Sequence, residues 1–591
     1  MIDWAAIGAG ALWVSGLAVM LAACSRGHWL AGERHQGLRA VLATPAVEMA
    51  CHAGLFLVCT GLFFSVDALW KRLGWAVVGL LSALQVGQGW RKGALSPAQG
   101  SGPDQAPAGV ETPGATLAGR WSRLGAAVGR VELWWVLAAL PLLLFPSRYS
   151  PWALSSLALL WVLRWAATGH LTVRTPVDAP ALVLVLLLPI SWYFSADKAM
   201  TDPALYRLIS GVALFYAVLN WAAPARRLEG VLPSSARRPQ AESCRRFGRE
   251  VSRFAARRLA VAAALLVLLG LGLAAIAPFA PVSWSSGKWF DAPAILARLR
   301  LGGHVWIQED INANVLAGGL ILIWPVAAAL LPARIGGDGL AQALLRLGLA
   351  GSLAAMSAIL LLTQSRGAWL ALGLALAVMG VLRFPALRGW ALLSGVTVLF
   401  LLWRSGPQQW QRWGDALSNT GAITSLAGRQ EAWSRAIYMI QDFAYTGIGM
   451  GTFDLVQPLL YPFFLHSGLI HHVHNLYLQV AVDLGLPGLI AYLALCLGSL
   501  YAAWRVWRAS NGPFAALALG LLGSQVAWLA LGWFEAGIWV SKLAFLPWWV
   551  AGLTAALERL GRLPQAPSCP MGSSLAVGPS ETGLGSCTLL R

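Results

Sequence analysis

The chain has 591 residues, 58% hydrophobic and 12% charged, with a mean hydropathy of +0.64 and a formal net charge of +18. Soluble domains carry about twice that charged fraction, so a water-soluble globular fold is excluded, and no alternating pattern of roughly ten residues supports a β-barrel. The positive charge is not a nucleic-acid footprint, because the arginines cluster in short loops between apolar runs, the asymmetry of a membrane protein's cytoplasmic loops.

Apolar runs of roughly 17 to 25 residues recur from end to end, so the expected fold is an all-α polytopic membrane protein. Fifteen spans are predicted, near 5–24, 47–66, 73–90, 131–146, 150–168, 177–194, 203–221, 259–280, 312–332, 346–364, 367–383, 388–403, 475–507, 513–532 and 538–557. Residues 5–24 lack a basic n-region and follow Asp3, so they read as a retained span rather than a signal peptide. Residues 1–90 form a three-helix extension. Residues 91–130, rich in Gly, Pro, Ala and Ser, read as a flexible cytoplasmic linker. Residues 131–557 form a twelve-span core, and 558–591 a disordered cytoplasmic tail.

Orientation follows from residues 222–258, which hold ten arginines against three glutamates and belong in the cytoplasm. Alternating outward from there puts the N-terminus outside and the C-terminus inside the cytoplasmic (inner) membrane. Only Lys71 and Arg72 fall on the unexpected side. Residues 404–474 become one large extracytoplasmic region, with Glu431 and Arg435 spaced for a helix. The seven cysteines show neither metal nor disulfide spacing.

Three groups on that outer side carry chemistry. Thr363-Gln364-Ser365-Arg366-Gly367 joins two spans with almost no loop, which holds Arg366 at the lip of the membrane. Arg366 either snorkels there or offers its planar fork to an anion such as phosphate. Arg429, in Gly428-Arg429-Gln430-Glu431-Ala432-Trp433, either binds an anion or pairs with a carboxylate. The Gly447-x-Gly449-x-Gly451 run follows no strand, so it is not a dinucleotide fingerprint.

Four histidines, His466, His471, His472 and His474, fall within nine residues. They could ligate zinc, although no familiar ligand spacing is completed. His474 alone could serve as a general base, since a neutral imidazole accepts a proton near pH 7. It could also be merely structural. Asp483, nine residues on, lies about two and a half helical turns away and reads as structural.

His474-Asn475, nine residues, then Gly485-x-x-Gly488 resembles the pattern of the O-antigen ligase and polymerase superfamily. Ser365-Arg366, the Arg429 segment with Trp433, Phe194-Ser195-Ala196-Asp197 and Asn312-Ala313-Asn314-Val315-Leu316-Ala317-Gly318 resemble further family segments in the same order. The resemblance covers roughly 131–557 and implies a twelve-span core. It implies a glycosyltransferase that needs no metal or other cofactor, acts on the outer membrane face, and takes a polyprenyl-diphosphate-linked glycan as donor. The acceptor hydroxyl would belong to a glycan, a lipid or a protein. Arg366 and Arg429 would hold the diphosphate, with Arg207 as a weaker further contact, and His474 would be the general base of one inverting displacement. Asn475, Gly485, Gly488 and Ser365 would support the motif. A protein O-oligosaccharyltransferase is the nearest alternative. A transporter would carry buried charges at mid-membrane, whereas here the span centres are nearly free of charge.

Overall fold

The computed structural model describes residues 4–34, 36–65, parts of 72–86, 115–223, 241–280, 282–283, 290–299, 311–335, 339–397, 400–401, 404, 426–464 and 470–562. Helices dominate. In chain order they are α1 (Trp4–Arg34), α2 (Leu38–Leu42), α3 (Pro45–Ser65), α4 (Ala115–Leu144), α5 (Ser150–Thr168), α6 (Asp178–Tyr193), α7 (Lys198–Ala222), α8 (Ala241–Ile276), α9 (Ala292–Leu299), α10 (Ala313–Leu330), α11 (Leu340–Thr363), α12 (Arg366–Arg383), α13 (Leu426–Asp442), α14 (Phe453–Leu460), α15 (Leu476–Ala509), α16 (Gly512–Leu531), α17 (Gly537–Val540) and α18 (Leu546–Gly561). A two-residue parallel pairing joins Val282–Ser283 to Ile311–Asn312.

Among the described residues, ten helices are long and apolar enough to cross a membrane. The protein is therefore an all-α, multi-pass membrane protein. The difference from fifteen expected spans has local causes. Helices α6 and α18 have 16 residues each, about 24 Å at 1.5 Å per residue. Helix α5 carries Arg164 and several hydroxyls in 19 residues. The expected spans at 73–90 and 388–403 lie partly outside the described residues, as do most of the 91–130 linker and the tail from 563.

Lipid gives helices little hydrophobic reason to associate, so close packing and small residues do that work. The centre of the bundle follows this rule. A Cβ at Gly211 would meet Trp548 Cδ1 at 2.3 Å, and one at Gly552 would meet the Phe215 carbonyl at 2.8 Å, which binds α7 to α18. Gly520 lets α16 approach the α10 backbone at Pro325 and Val326. Helices α1 and α3 close on each other at Gly16, Gly54 and Gly61. The pair docks on α15 through α1, and Arg26 bonds the buried Glu558 of α18 at 2.7 Å.

Several resemblance motifs turn out to mark helix starts. Asp197 caps α7 by accepting from the Ala199 amide at 2.8 Å. Asn312 caps α10 through the Asn314 amide at 2.8 Å, and Asn475 caps α15 through Tyr477 and Leu478 at 3.0 and 3.1 Å. Ser365 occupies the N-cap of α12 without a side-chain bond. A short polar side chain at that position satisfies amides that the helix cannot.

Two loops gather these four starts at one end of the bundle. In the first, Gly449 packs on Ser195 so closely that a Cβ on it would meet the Ser195 Cα at 2.7 Å. In the second, residues 532–537, Leu476 donates its amide to the Gly532 carbonyl at 2.7 Å. There a Cβ at Gly367 would meet Phe534 at 3.1 Å, and one at Gly537 would meet Val315 at 2.7 Å. The positive ends of α7, α10, α12 and α15 thus meet at one end, an arrangement that favours anions.

Candidate functional site

His474 sits immediately before the Asn475 cap, and its backbone is left-handed, at φ 53°. Among the described residues the only other non-glycine with positive φ is Gln364, at φ 51°, two residues before Arg366. Each such residue costs on the order of 1–3 kcal/mol and persists only where its surroundings impose it. Here the surroundings are polar. Gln479 accepts the Val473 amide at 2.9 Å and donates to Asp483 at 3.0 Å. Asp483 accepts the Trp539 indole at 2.8 Å. Buried Asp483 thereby ties the segment before His474 to α17. Its expected structural role now has a mechanism.

The partner of His474 is Glu535, fully enclosed between α16 and α17. Glu535 Oε1 accepts the amides of Ala536 and Gly537 at 3.0 and 2.8 Å. Its Oε2 lies 3.6 Å from His474 Nδ1, slightly beyond hydrogen-bond distance, and that nitrogen has no other partner among the described residues. His472 joins from the same segment, its ring centroid 4.2 Å from that of His474. The His474 amide donates to His472 Nδ1 at 3.3 Å. His472 therefore carries its proton on Nε2, which faces Glu535 Oε1 at 3.4 Å.

Charge follows from burial and neighbours. Burial pushes the His472 imidazole down to about 4, against the pull of Glu535, so His472 is neutral near pH 7. Burial raises Glu535, but the two histidines and the Gly537 amide outweigh it and hold the carboxyl well below its usual range. The site thus contains one ionised carboxylate, one neutral imidazole locked in its tautomer, and His474. Arg429, on α13, stands within electrostatic reach of Glu535 and His472. Burial lowers its guanidinium from the ordinary value and Glu535 opposes this. Arg429 Nε finds no partner among the described residues.

The O-antigen ligase family model matches residues 351–493. That match supports a place in the O-antigen ligase superfamily. The same match supports a transferase of the ligase or polymerase type in general, and no curated protein matches the chain. The O-antigen ligase segment runs from within α11 into α15 and contains Arg366, Arg429, His474, Gly485 and Gly488. Glu535 and Arg207 lie outside it.

The remaining expected residues take distinct places. Gly485 breaks α15 at φ 71°, and a Cβ there would meet the Tyr445 carbonyl carbon at 2.7 Å. The amides of Leu486 and Ile448 complete the contact by bonding the Ala444 and Val482 carbonyls at 2.7 and 2.9 Å. Gly488 stands over Leu484, one turn earlier. Gly447, Gly449 and Gly451 all have positive φ and lie against α15, Ser195 and α7 respectively. That run therefore builds a packed loop. Arg366 opens α12 beside the loop of Glu535, where Gly367 admits Phe534. Arg207 donates to the Val540 carbonyl and faces Asp483, next to the Asp483–Trp539 tie.

Glu535 and His472 escaped the sequence reading as functional residues. Glu535 is the only acidic residue between Asp483 and Glu558, a signal that a scan for isolated acids at span ends would have caught. His472 looked like a loop residue, yet it is buried. His471 is exposed, 3.6 Å from Asp454, and His466 lies outside the described residues.

Proposed function

We propose that this protein transfers or polymerises a glycan from a polyprenyl-diphosphate-linked donor to an acceptor hydroxyl, without a metal and with inversion at the anomeric carbon. The arginine asymmetry of the loops supports placing this end of the bundle outside the cytoplasmic membrane. The observation that carries the reading is the pairing of strained His474 with buried Glu535. Glu535 faces Nδ1, which leaves Nε2 of His474 to take a proton from substrate.

The step balances as one displacement. The acceptor oxygen forms a bond to the anomeric carbon while its proton passes to His474 Nε2. The bond from that carbon to the diphosphate oxygen breaks, and the electron pair leaves with polyprenyl diphosphate. A sugar hydroxyl is too weak an acid to ionise first, so proton removal accompanies attack. General-base help of this kind contributes about 10²–10⁴-fold. Glu535 stabilises the imidazolium that forms, as the buried acid of a catalytic triad does. Arg366 and Arg429 hold the diphosphate and stabilise the charge that develops on it. The converging helix starts add to that field.

A second reading has its own observation. Ligand atoms of His472, His474 and Glu535 lie within 4.8 Å of one another, a set able to hold a metal ion. Two features favour the metal-free reading: Glu535 Oε1 already accepts two amides, and Arg429 places a cation nearby. The test is reconstitution in bilayers with a polyprenyl-diphosphate glycan, with mass analysis of the extended acceptor. Transfer by wild type in EDTA and loss in His474→Ala are expected. Loss in EDTA with recovery on adding zinc would install the metal reading. Full transfer by His474→Ala would remove the base.

A further inference from the structure

The helix that carries Arg429 brings a second donor to the same place. Trp433 follows Arg429 by four residues on α13, so the two side chains stand one turn apart on one face. Trp433 packs on the cluster that contains Ile470 and Val473, and Val473 directly precedes His474. Its indole Nε1 is buried and has no hydrogen-bond partner among the described residues, as is true of Arg429 Nε.

Two neighbouring buried N–H groups without acceptors are costly, at about 1–3 kcal/mol each, and native structures rarely leave such groups unexplained. An indole N–H can only donate, so the group that completes this face must be an acceptor. The carboxylates at hand are already engaged: Glu535 serves the Ala536 and Gly537 amides and the two histidines, and Glu431, on the same helix, accepts the Phe464 amide at 2.6 Å. A guanidinium beside an indole N–H calls for an anion with several oxygens, in reach of the reacting centre.

We infer that Trp433 is a binding residue for the lipid-linked donor and gives its indole N–H to a diphosphate oxygen beside Arg429. The guanidinium supplies charge, and the neutral indole supplies direction. A single arginine fork leaves the diphosphate free to swing about its own axis, and a second donor one helical turn away fixes the leaving oxygen. This inference rests on the reading of Arg429 as a diphosphate contact.

The test uses the full chain in lipid nanodiscs and polyprenyl diphosphate bearing no glycan, which isolates the diphosphate from any sugar contact. Trp433→Phe keeps an aromatic ring and deletes the N–H. The expected result is roughly tenfold weaker binding, in line with loss of one charge-assisted hydrogen bond, while polyprenyl monophosphate binds both proteins with closely similar affinity. Trp433→His returns a ring N–H and recovers part of the loss; it carries the comparison if the Phe variant is recovered unfolded. Wild-type affinity for the diphosphate in both variants would overturn the inference. Arg429→Lys separates the two layers: a normal affinity there sinks the diphosphate reading itself, whereas weak Arg429→Lys with normal Trp433→Phe sinks only the role of Trp433.

Discussion

The two ends of the helix bundle both bury charged side chains, and they treat them differently. At the far end of α7, Glu132 accepts from Arg164 and, at 2.6 Å, from Asn220. At the far end of α15, Glu558 accepts from Arg26 and Arg562 at 2.7 and 2.9 Å, with Arg505 at 3.6 Å. These acids sit in short, charge-assisted contacts that fasten helices to one another. At the His474 end the contacts are longer. His474 Nδ1 stands 3.6 Å from Glu535 and the backbone beneath it is left-handed. Unpartnered buried atoms occur at both ends among the described residues, at Arg26, Arg164 and Arg562 as well as at Arg429 and Trp433, but only the His474 end sets them beside a left-handed backbone and a loosely held imidazole. One end closes its acids in short ion pairs between helices, while the other leaves His474 and Glu535 in a looser contact.

That contrast predicts opposite failures. His474→Ala is expected to lower transfer by about 10²–10⁴-fold with the protein still folded in the membrane, as read by reconstituted turnover and thermal stability. Glu535→Gln keeps an acceptor beside His474 and removes the charge, so turnover should fall, by no more than the His474→Ala loss because Glu535 acts through the imidazole, with little change in donor affinity. If either variant kept normal turnover and only lost stability, the two ends would be alike after all. Glu132→Gln should behave the other way. Breaking a buried pair costs on the order of 3–5 kcal/mol, so stability falls while turnover per folded molecule stays within about twofold.

Acid provides a smaller and sharper probe of the His474 end. His472 titrates near 6.5 when unfolded and about 4 in place. Between those values the unfolded chain binds a proton that the folded site refuses, so stability is full above about pH 6.5 and falls as pH drops toward 4. Ionised Glu535 acts in the same direction at lower pH, since its folded value is depressed. The loss from His472 should amount to roughly 1–3 kcal/mol. His472→Gln should flatten melting temperature against pH in that window. An unchanged slope would show that His472 is not buried as a neutral ring.

Most of the fold was legible because lipid imposes long apolar runs and leaves polar residues only where helices start or end. Asn475, Asn312 and Asp197 entered the sequence analysis as parts of resembling segments, and each proves to be a cap. Gly485 was visible as a bend, but its reason was not. The close approach of Tyr445 comes from a loop forty residues earlier and is a tertiary fact. Arg366, Arg429 and His474 announced themselves as polar groups near membrane ends. Glu535 did not, since a single acid beside Trp533 and Phe534 has no local pattern. Only the fold brings it from the end of α16 to the start of α15. The short helices α6 and α18 show the matching limit, because apolar composition alone did not reveal that they are 16 residues long.

The account stands on His474 and Glu535 acting as one unit, and a double-mutant cycle in reconstituted glycan transfer measures that directly. With turnover compared among wild type, His474→Ala, Glu535→Gln and the double variant, the dyad predicts that the double variant is no slower than His474→Ala alone, because Glu535 acts only through the imidazole. A double variant slower by the full product of the two single losses would show two independent contributions and contradict the dyad.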